Sequence, residues 1–167
     1  MFKENSYRTL PPEVFWNHML QDLGLLLSPE DATITTLSNS AAFLYGALEQ
    51  INWVGYYLFD GQKLVLGPFC GKPACTTIAM GNGVCGAAAE RMEVVVVEDV
   101  LKFPGHIACD AASRSEIVLP IIINGVLLGV LDMDSPIEAR FQPGEVSGLK
   151  KVVEIITSKI VRPNVLM

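Results

Sequence analysis

The sequence feature that most constrains the fold is an apolar β-hairpin in the second half of the chain. Residues 116–123 and 126–131 are almost wholly apolar, and Asn124 and Gly125 separate them. Asn-Gly suits a type I′ turn, because both residues tolerate the positive φ that this turn requires. Positions whose numbers sum to about 249 therefore lie opposite each other. Pro120 opposes regular pairing and indicates a bulge or an irregular register nearby.

Acidic residues mark one end of this hairpin. Asp132 and Asp134 are two residues apart, so that a strand points both side chains to one face, and Glu116 begins the neighbouring strand. Acids at strand ends are often merely solvated. Three carboxylates held together would instead raise at least one pKa, which keeps a proton donor available near neutrality while the others bind a cation. An amine-bearing substrate that needs an acid fits such a site.

The rest of the chain predicts one α+β domain over residues 1–167. Apolar side chains at helical spacing predict two helices within residues 1–50, the second started by a capping signal at residues 28–31, and a C-terminal helix over residues 142–162. The sheet and its loops occupy residues 52–135, with about six mostly antiparallel strands. Shorter elements are predicted as follows: a hairpin of strands 53–59 and 63–69, a strand at 76–79, a helix at 84–91, and a central strand at 94–97, which is apolar on both faces.

Composition excludes several classes of function. Half of the 167 residues are hydrophobic and 18% are charged, yet no uncharged apolar run approaches the roughly 20 residues of a membrane span. The net charge is −6 and the twelve basic residues are scattered, which argues against a nucleic-acid partner. The first residues lack the apolar core of a signal peptide, so we expect a cytoplasmic protein with reduced cysteines.

Four cysteines are the other candidates for chemistry: Cys70, Cys75, Cys85 and Cys109. No two of them form the C-x-x-C pair of zinc ribbons or thioredoxin-like sites, so we expect no metal. A free cysteine is usually a small buried hydrophobe. All but Cys70 lie close after glycine or proline, in segments predicted as loops or loop borders. Three reachable thiols would permit disulfide exchange.

Cys109 is the best candidate for a nucleophile. It follows Pro104 and Gly105, and His106 or a nearby helix start would lower the pKa of its thiol. Asp110 acts in the opposite direction. His106 fits a structural loop residue equally well, so the spacing alone leaves its role open.

Seven segments carry a resemblance to a known family. Taken together, they resemble the free methionine-(R)-sulfoxide reductases, which are built on the GAF fold, so that a GAF-like fold is expected. The segments are residues 52–57, 66–69, 71–75, 83–86, 103–110, 115–118 and 129–135.

The resemblance implies a thiol-dependent reduction of free L-methionine-(R)-sulfoxide. Cys109 matches the cysteine that attacks the sulfoxide sulfur, releases methionine and becomes a sulfenic acid. Cys75 matches the cysteine that resolves this acid as a disulfide, and Cys85 matches a third that resolves in another pairing or relays the disulfide to thioredoxin. The implied substrate-binding residues are Glu116, Asp132 and Asp134, while Trp53 and Tyr57 on the aromatic strand could hold the methyl and methylene groups.

The same resemblance implies no bound cofactor, thioredoxin as the external reductant and a homodimer. Cys70 stands where glutamine is usual, which leaves the disulfide pairing open. Two alternatives remain at this point. The first is a GAF-type sensor that binds a small molecule or reports redox state without turnover. The second is a dimerisation domain, which gives no reason for three acids near a loop thiol.

Overall fold

The structure is a computed structural model that describes residues 10–105 and 111–161. His106, Cys109 and Asp110 of the predicted nucleophile loop lie outside the described residues. No helix within the described ranges is long and apolar enough to cross a membrane. The elements are α1 (Pro12–Leu26), α2 (Thr33–Ala47), β1 (Trp53–Phe59), β2 (Lys63–Cys70), β3 (Thr77–Ala79), α3 (Gly83–Arg91), β4 (Val95–Val97), β5 (Ser115–Ile123), β6 (Val126–Ser135) and α4 (Pro143–Lys159), with a 3-10 turn at Val100–Lys102.

The strands form a sheet in the order β3-β2-β1-β6-β5-β4, and every neighbouring pair is antiparallel. The predicted α+β architecture is confirmed. The prediction of a central strand at residues 94–97 is wrong, because β4 pairs only with β5 and lies at the sheet edge. Val97 packs in the core while Val96 is 39% exposed. Because β4 has only three residues, it leaves few backbone groups open to pairing with another chain.

The hairpin of β5 and β6 has the predicted turn. Asn124 and Gly125 have φ values of 52° and 79°, as a type I′ turn requires. The register runs continuously through Pro120, which lies opposite Val130, and shifts between Ile121 and Ile122. The expected irregularity therefore falls one step after the proline.

The two faces of the sheet bury different layers. Helices α1, α2 and α4 cover one face, and α3 covers the other. Strand residues alternate between them because successive side chains point to opposite faces. The helix-side core contains, among others, Val54, Tyr56, Leu58, Ile117, Leu119, Leu131 and Met133. The α3-side core contains, among others, Trp53, Tyr57, Val84, Cys85, Val118 and Val130.

The start of α2 differs from the prediction. The backbone N–H of Ser28 donates to Asp31 Oδ2 at 3.2 Å, and Glu30 N–H donates to Ser28 Oγ at 3.2 Å. These polar side chains therefore stabilise a turn rather than cap the helix. The helix begins at Thr33 after Ala32, which supplies no side-chain cap.

Candidate active site

Three carboxyl groups converge at one end of the α3-side face. Glu116 on β5 lies directly opposite Asp134 on β6, and Asp132 is two residues before Asp134 on the same strand. Glu116 and Asp132 are each 6% exposed, whereas Asp134 is half-buried. The hairpin register predicted this convergence, and the structure brings all three acids together. We name Glu116, Asp132 and Asp134 the acid cluster.

Burial and mutual repulsion change the protonation of the acid cluster. The pKa of Glu116 is raised well above its ordinary value, first by burial and then by the charges of Asp132 and Asp134. The pKa of Asp132 is also raised, again first by burial. The two carboxyls share a hydrogen bond, which requires a proton on one of them and raises the pKa of Glu116 while opposing the rise at Asp132. The pair of Glu116 and Asp132 therefore favours holding a proton.

Cys85 lies against the acid cluster from the first turn of α3. Its side chain is 3% exposed, and its thiol hydrogen-bonds to Asp132. Burial first, and then the charges of Asp132 and Glu116, raise the pKa of this thiol well above its ordinary value. A thiol in these surroundings stays protonated and donates the hydrogen bond.

The same groups offer ligand atoms to a cation. The sulfur of Cys85 and one carboxyl oxygen each of Glu116 and Asp132 lie within 4.8 Å of one another. Asp132 Oδ1 is buried and has no hydrogen-bond partner among the described residues. A sulfur and two oxygens suit a borderline divalent metal such as zinc. They equally suit a buried ammonium, because carboxylates hold such a group by charge-assisted hydrogen bonds.

Aromatic rings lie beside the acid cluster on the same face. Trp53 pairs with Asp134 across β1 and β6, and Tyr57 pairs with Val130. The Trp53 ring stacks on Tyr57 at a centroid distance of 6.0 Å and on Phe69 at 5.4 Å. These apolar ring faces can contact an aliphatic chain next to the carboxyls.

Gly55 makes room for the Trp53 ring. A Cβ on Gly55 would lie 2.7 Å from Trp53 Cη2 and 2.3 Å from the Cβ of Phe69. The aromatic stack therefore depends on a glycine between Trp53 and Tyr57. The alternation Trp-x-Gly-x-Tyr in β1 was the sequence signal for this stack, and the sequence-based prediction did not use it.

The structure separates the cysteines that it describes. Cys75 is half-buried and packs against the α3-side core, as does the buried Cys85. Cys70 is paired with Val54 and packs against the helix-side core instead. The two cysteines thus pack on opposite faces of the sheet although only four residues separate them, which argues against an exchange of roles between Cys70 and Cys75.

The described residues around the nucleophile loop are tied to the acid-bearing strand. Arg114 N–H donates to Ser135 O at 2.7 Å, and Val100 N–H donates to Arg114 O at 2.9 Å. The buried Ser113 accepts a hydrogen bond at 3.0 Å from the side-chain amide of Asn52. Sequence reasoning missed Asn52 and Ser113, because their 61-residue separation becomes a contact only through the sheet.

Comparisons with known proteins identify the family of this chain. The model of the GAF domain family matches residues 18–160. Free methionine-R-sulfoxide reductase of Escherichia coli (strain K12) is 48% identical over 139 residues, which are 83% of this chain and 84% of that protein.

Two solved structures are also similar. The fRMsr of Staphylococcus aureus, in complex with substrate, has a TM-score of 0.84 at 44% identity and covers 87% of this chain and 95% of its own. Free methionine-R-sulfoxide reductase from Neisseria meningitidis, in complex with its substrate, has a TM-score of 0.83 at 38% identity and covers 90% and 91%.

Proposed function

The chain belongs to the free methionine-R-sulfoxide reductases of the GAF family, and we propose that it reduces free L-methionine-(R)-sulfoxide to methionine. The observation that carries the proposal is the acid cluster. It combines two buried carboxyls with raised pKa values, Glu116 and Asp132, with the half-buried Asp134 next to stacked aromatic rings. These are the groups that an amine-bearing sulfoxide requires for binding and for protonation.

Binding uses the carboxyl oxygens of Asp132 and Asp134. The half-buried Asp134 and the orphaned Oδ1 of Asp132 accept hydrogen bonds from the substrate ammonium. The faces of Trp53 and Tyr57 cover the methyl and methylene groups. A peptide-bound methionine sulfoxide has an amide in place of the ammonium, so the proposed site selects the free amino acid.

The first chemical step oxidises the enzyme. The Cys109 thiolate attacks the sulfoxide sulfur while Glu116 protonates the sulfoxide oxygen, which makes the sulfur electrophilic. The oxygen passes to Cys109, which becomes a sulfenic acid, and methionine leaves with its sulfur reduced by two electrons. The proton that Glu116 gives to the oxygen becomes the hydrogen of the new S–OH group, and the proton that Cys109 lost on ionisation restores Glu116.

The second step closes the cycle. Cys75 attacks the sulfenic sulfur, a disulfide forms, and water leaves. Thioredoxin then reduces the disulfide by thiol exchange. Within this cycle Cys85 acts as a donor to Asp132, because its burial and raised pKa make it a poor nucleophile. The cycle uses no bound cofactor, and a cytoplasmic homodimer is part of the proposal that follows from the resemblance.

A coupled assay tests the proposal. NADPH consumption is followed with thioredoxin and thioredoxin reductase while the free R epimer, the free S epimer and a peptide-bound sulfoxide are supplied separately. We expect turnover of the free R epimer alone. A sensor predicts binding without NADPH consumption, and that result would overturn the proposal.

A further inference from the structure

The loop that carries Cys75 is attached to the sheet by the polar edges of two β1 rings. Trp53 Nε1–H donates to the backbone carbonyl of Lys72 at 3.0 Å. The Tyr57 hydroxyl donates to the backbone carbonyl of Cys75 itself at 3.1 Å. The two rings are 3% and 1% exposed, so that water competes little for these bonds.

The backbone of this loop is shaped around Trp53. Gly71 has φ of +136°, and a Cβ at this position would lie 2.5 Å from Trp53 Cδ1. Further along, Leu66 N–H donates to Thr76 O at 3.0 Å. The loop is therefore fixed where it begins, at Lys72, at Cys75 and where it rejoins the sheet.

We propose that Trp53 and Tyr57 are positioning residues for the disulfide step, through the carbonyls of Lys72 and Cys75. The inference rests on the proposed function, in which the Cys75 sulfur attacks the sulfenic sulfur of Cys109. The S–S bond forms, the S–O bond breaks, and the hydroxyl leaves as water with the Cys75 thiol proton. The rate of this step depends on holding one sulfur at bonding range of the other, and a misplacement of about 1 Å can cost on the order of a hundredfold.

In this proposal Trp53 and Tyr57 position the loop that carries Cys75 in addition to contacting the substrate. The two rings stack on each other, and Trp53 also stacks on Phe69, while the Trp53 N–H and the Tyr57 O–H bond to the loop. Removing either polar group should therefore disturb the position of the Cys75 thiol, while an aromatic ring remains to contact the substrate. The effect on disulfide formation can thus be measured separately from the effect on methionine release.

Single-turnover kinetics of Tyr57→Phe and Trp53→Phe test the inference. Reduced enzyme is mixed with one equivalent of free methionine-(R)-sulfoxide, and methionine release and the loss of free thiols are followed separately. We expect the ratio of the disulfide rate to the release rate to fall about fivefold to tenfold in each variant. Dimedone should then trap more sulfenic acid, and steady-state kcat should fall more than kcat/KM, which reports only the steps up to methionine release.

Tyr56→Phe is the matched control. Tyr56 is the adjacent residue of β1, is fully buried, and bonds to Ser40 Oγ at 2.7 Å on the opposite face. Its variant loses one buried hydroxyl without touching the loop, so the ratio should match that of the wild type.

The outcomes are distinguishable. A ratio unchanged in both Tyr57→Phe and Trp53→Phe overturns the inference, as does an equal fall in Tyr56→Phe. If Tyr57→Phe does not fold, Trp53→Phe tests the same loop through Lys72. A wild type that releases no methionine refutes the proposed function, and the inference with it.

Discussion

The thiol of Cys85 on α3 donates a hydrogen bond to the carboxylate of Asp132 on β6. Both side chains are buried, and burial together with the neighbouring acids raises the pKa of the thiol. A protonated thiol reacts slowly with disulfides and sulfenic acids. The contact supports a role for Cys85 as hydrogen-bond donor to the acid cluster, which differs from the resolving or relay role that the resemblance implies.

Replacing Cys85 tests these interpretations. Cys85→Ser retains a donor to Asp132, whereas Cys85→Ala removes it and leaves a buried acceptor without its partner, at a cost of about 1–3 kcal/mol in unfolding free energy. We expect Cys85→Ser to retain more thioredoxin-dependent turnover than Cys85→Ala and to remain the more stable variant. If both variants release methionine once but neither is recycled by thioredoxin, Cys85 is a redox relay.

Neutral replacements in the acid cluster should separate activity from folding. Glu116→Gln mimics the protonated carboxyl and its hydrogen bond to Asp132 but cannot transfer a proton. Asp134→Asn removes a charge that would bind the substrate ammonium. We expect kcat/KM to fall at least about tenfold to a hundredfold in each, with little loss in Tm. Glu154→Gln, on an exposed position of α4, is the control. Full kcat/KM in both cluster variants would contradict the proposed pocket.

The stability of the protein should depend on pH through the acid cluster. The pKa values of Glu116 and Asp132 are higher in the folded protein than in the unfolded chain, so the folded state binds more protons. Their stabilising contribution is complete below the ordinary carboxyl pKa, at about pH 4, and is lost as pH rises through the raised values. The Tm of Glu116→Gln minus that of the wild type should therefore increase from about pH 5 to about pH 8. A difference that is flat or decreases over this range would show that Glu116 titrates normally.

Cys70 and Cys75 should differ despite their closeness in sequence. Cys70 packs on the helix-side core, whereas Cys75 lies on the face that holds the acid cluster. We expect Cys70→Ala to retain turnover within about twofold and Cys75→Ala to release methionine once without forming a disulfide. Thiol titration after one turnover measures this directly. Loss of the disulfide in Cys70→Ala would show that Cys70 is the resolving thiol.

Much of the fold was predictable because its signals are local. The Asn124-Gly125 turn sets the register of β5 and β6, which brings Glu116 close to the end of β6, and the shift between Ile121 and Ile122 then places it opposite Asp134. The edge position of β4 was not predictable from the run of four valines at residues 94–97, since the same apolar pattern occurs in strands at the centre and at the edge of a sheet. The capping pattern at residues 28–31 fitted a turn as well as a helix start.

The contacts that the sequence did not predict connect distant segments or backbone groups. Tyr57 bonds to a carbonyl of Cys75, and Asn52 bonds to Ser113. Backbone acceptors carry no side-chain signature, so no residue pattern identifies them. The buried state of Cys85 depends on how α3 packs over the sheet, which the local sequence of a short helix does not specify.

The central claim is that Cys109 reduces free methionine-(R)-sulfoxide, and one measurement tests it most directly. Fully reduced protein is incubated with excess free methionine-(R)-sulfoxide and no external reductant, and released methionine is quantified for the wild type and for Cys109→Ser. The account predicts about one equivalent of methionine per wild-type chain, with the loss of two thiols, and none from Cys109→Ser. Equal release by Cys109→Ser, or no release by the wild type, would contradict it.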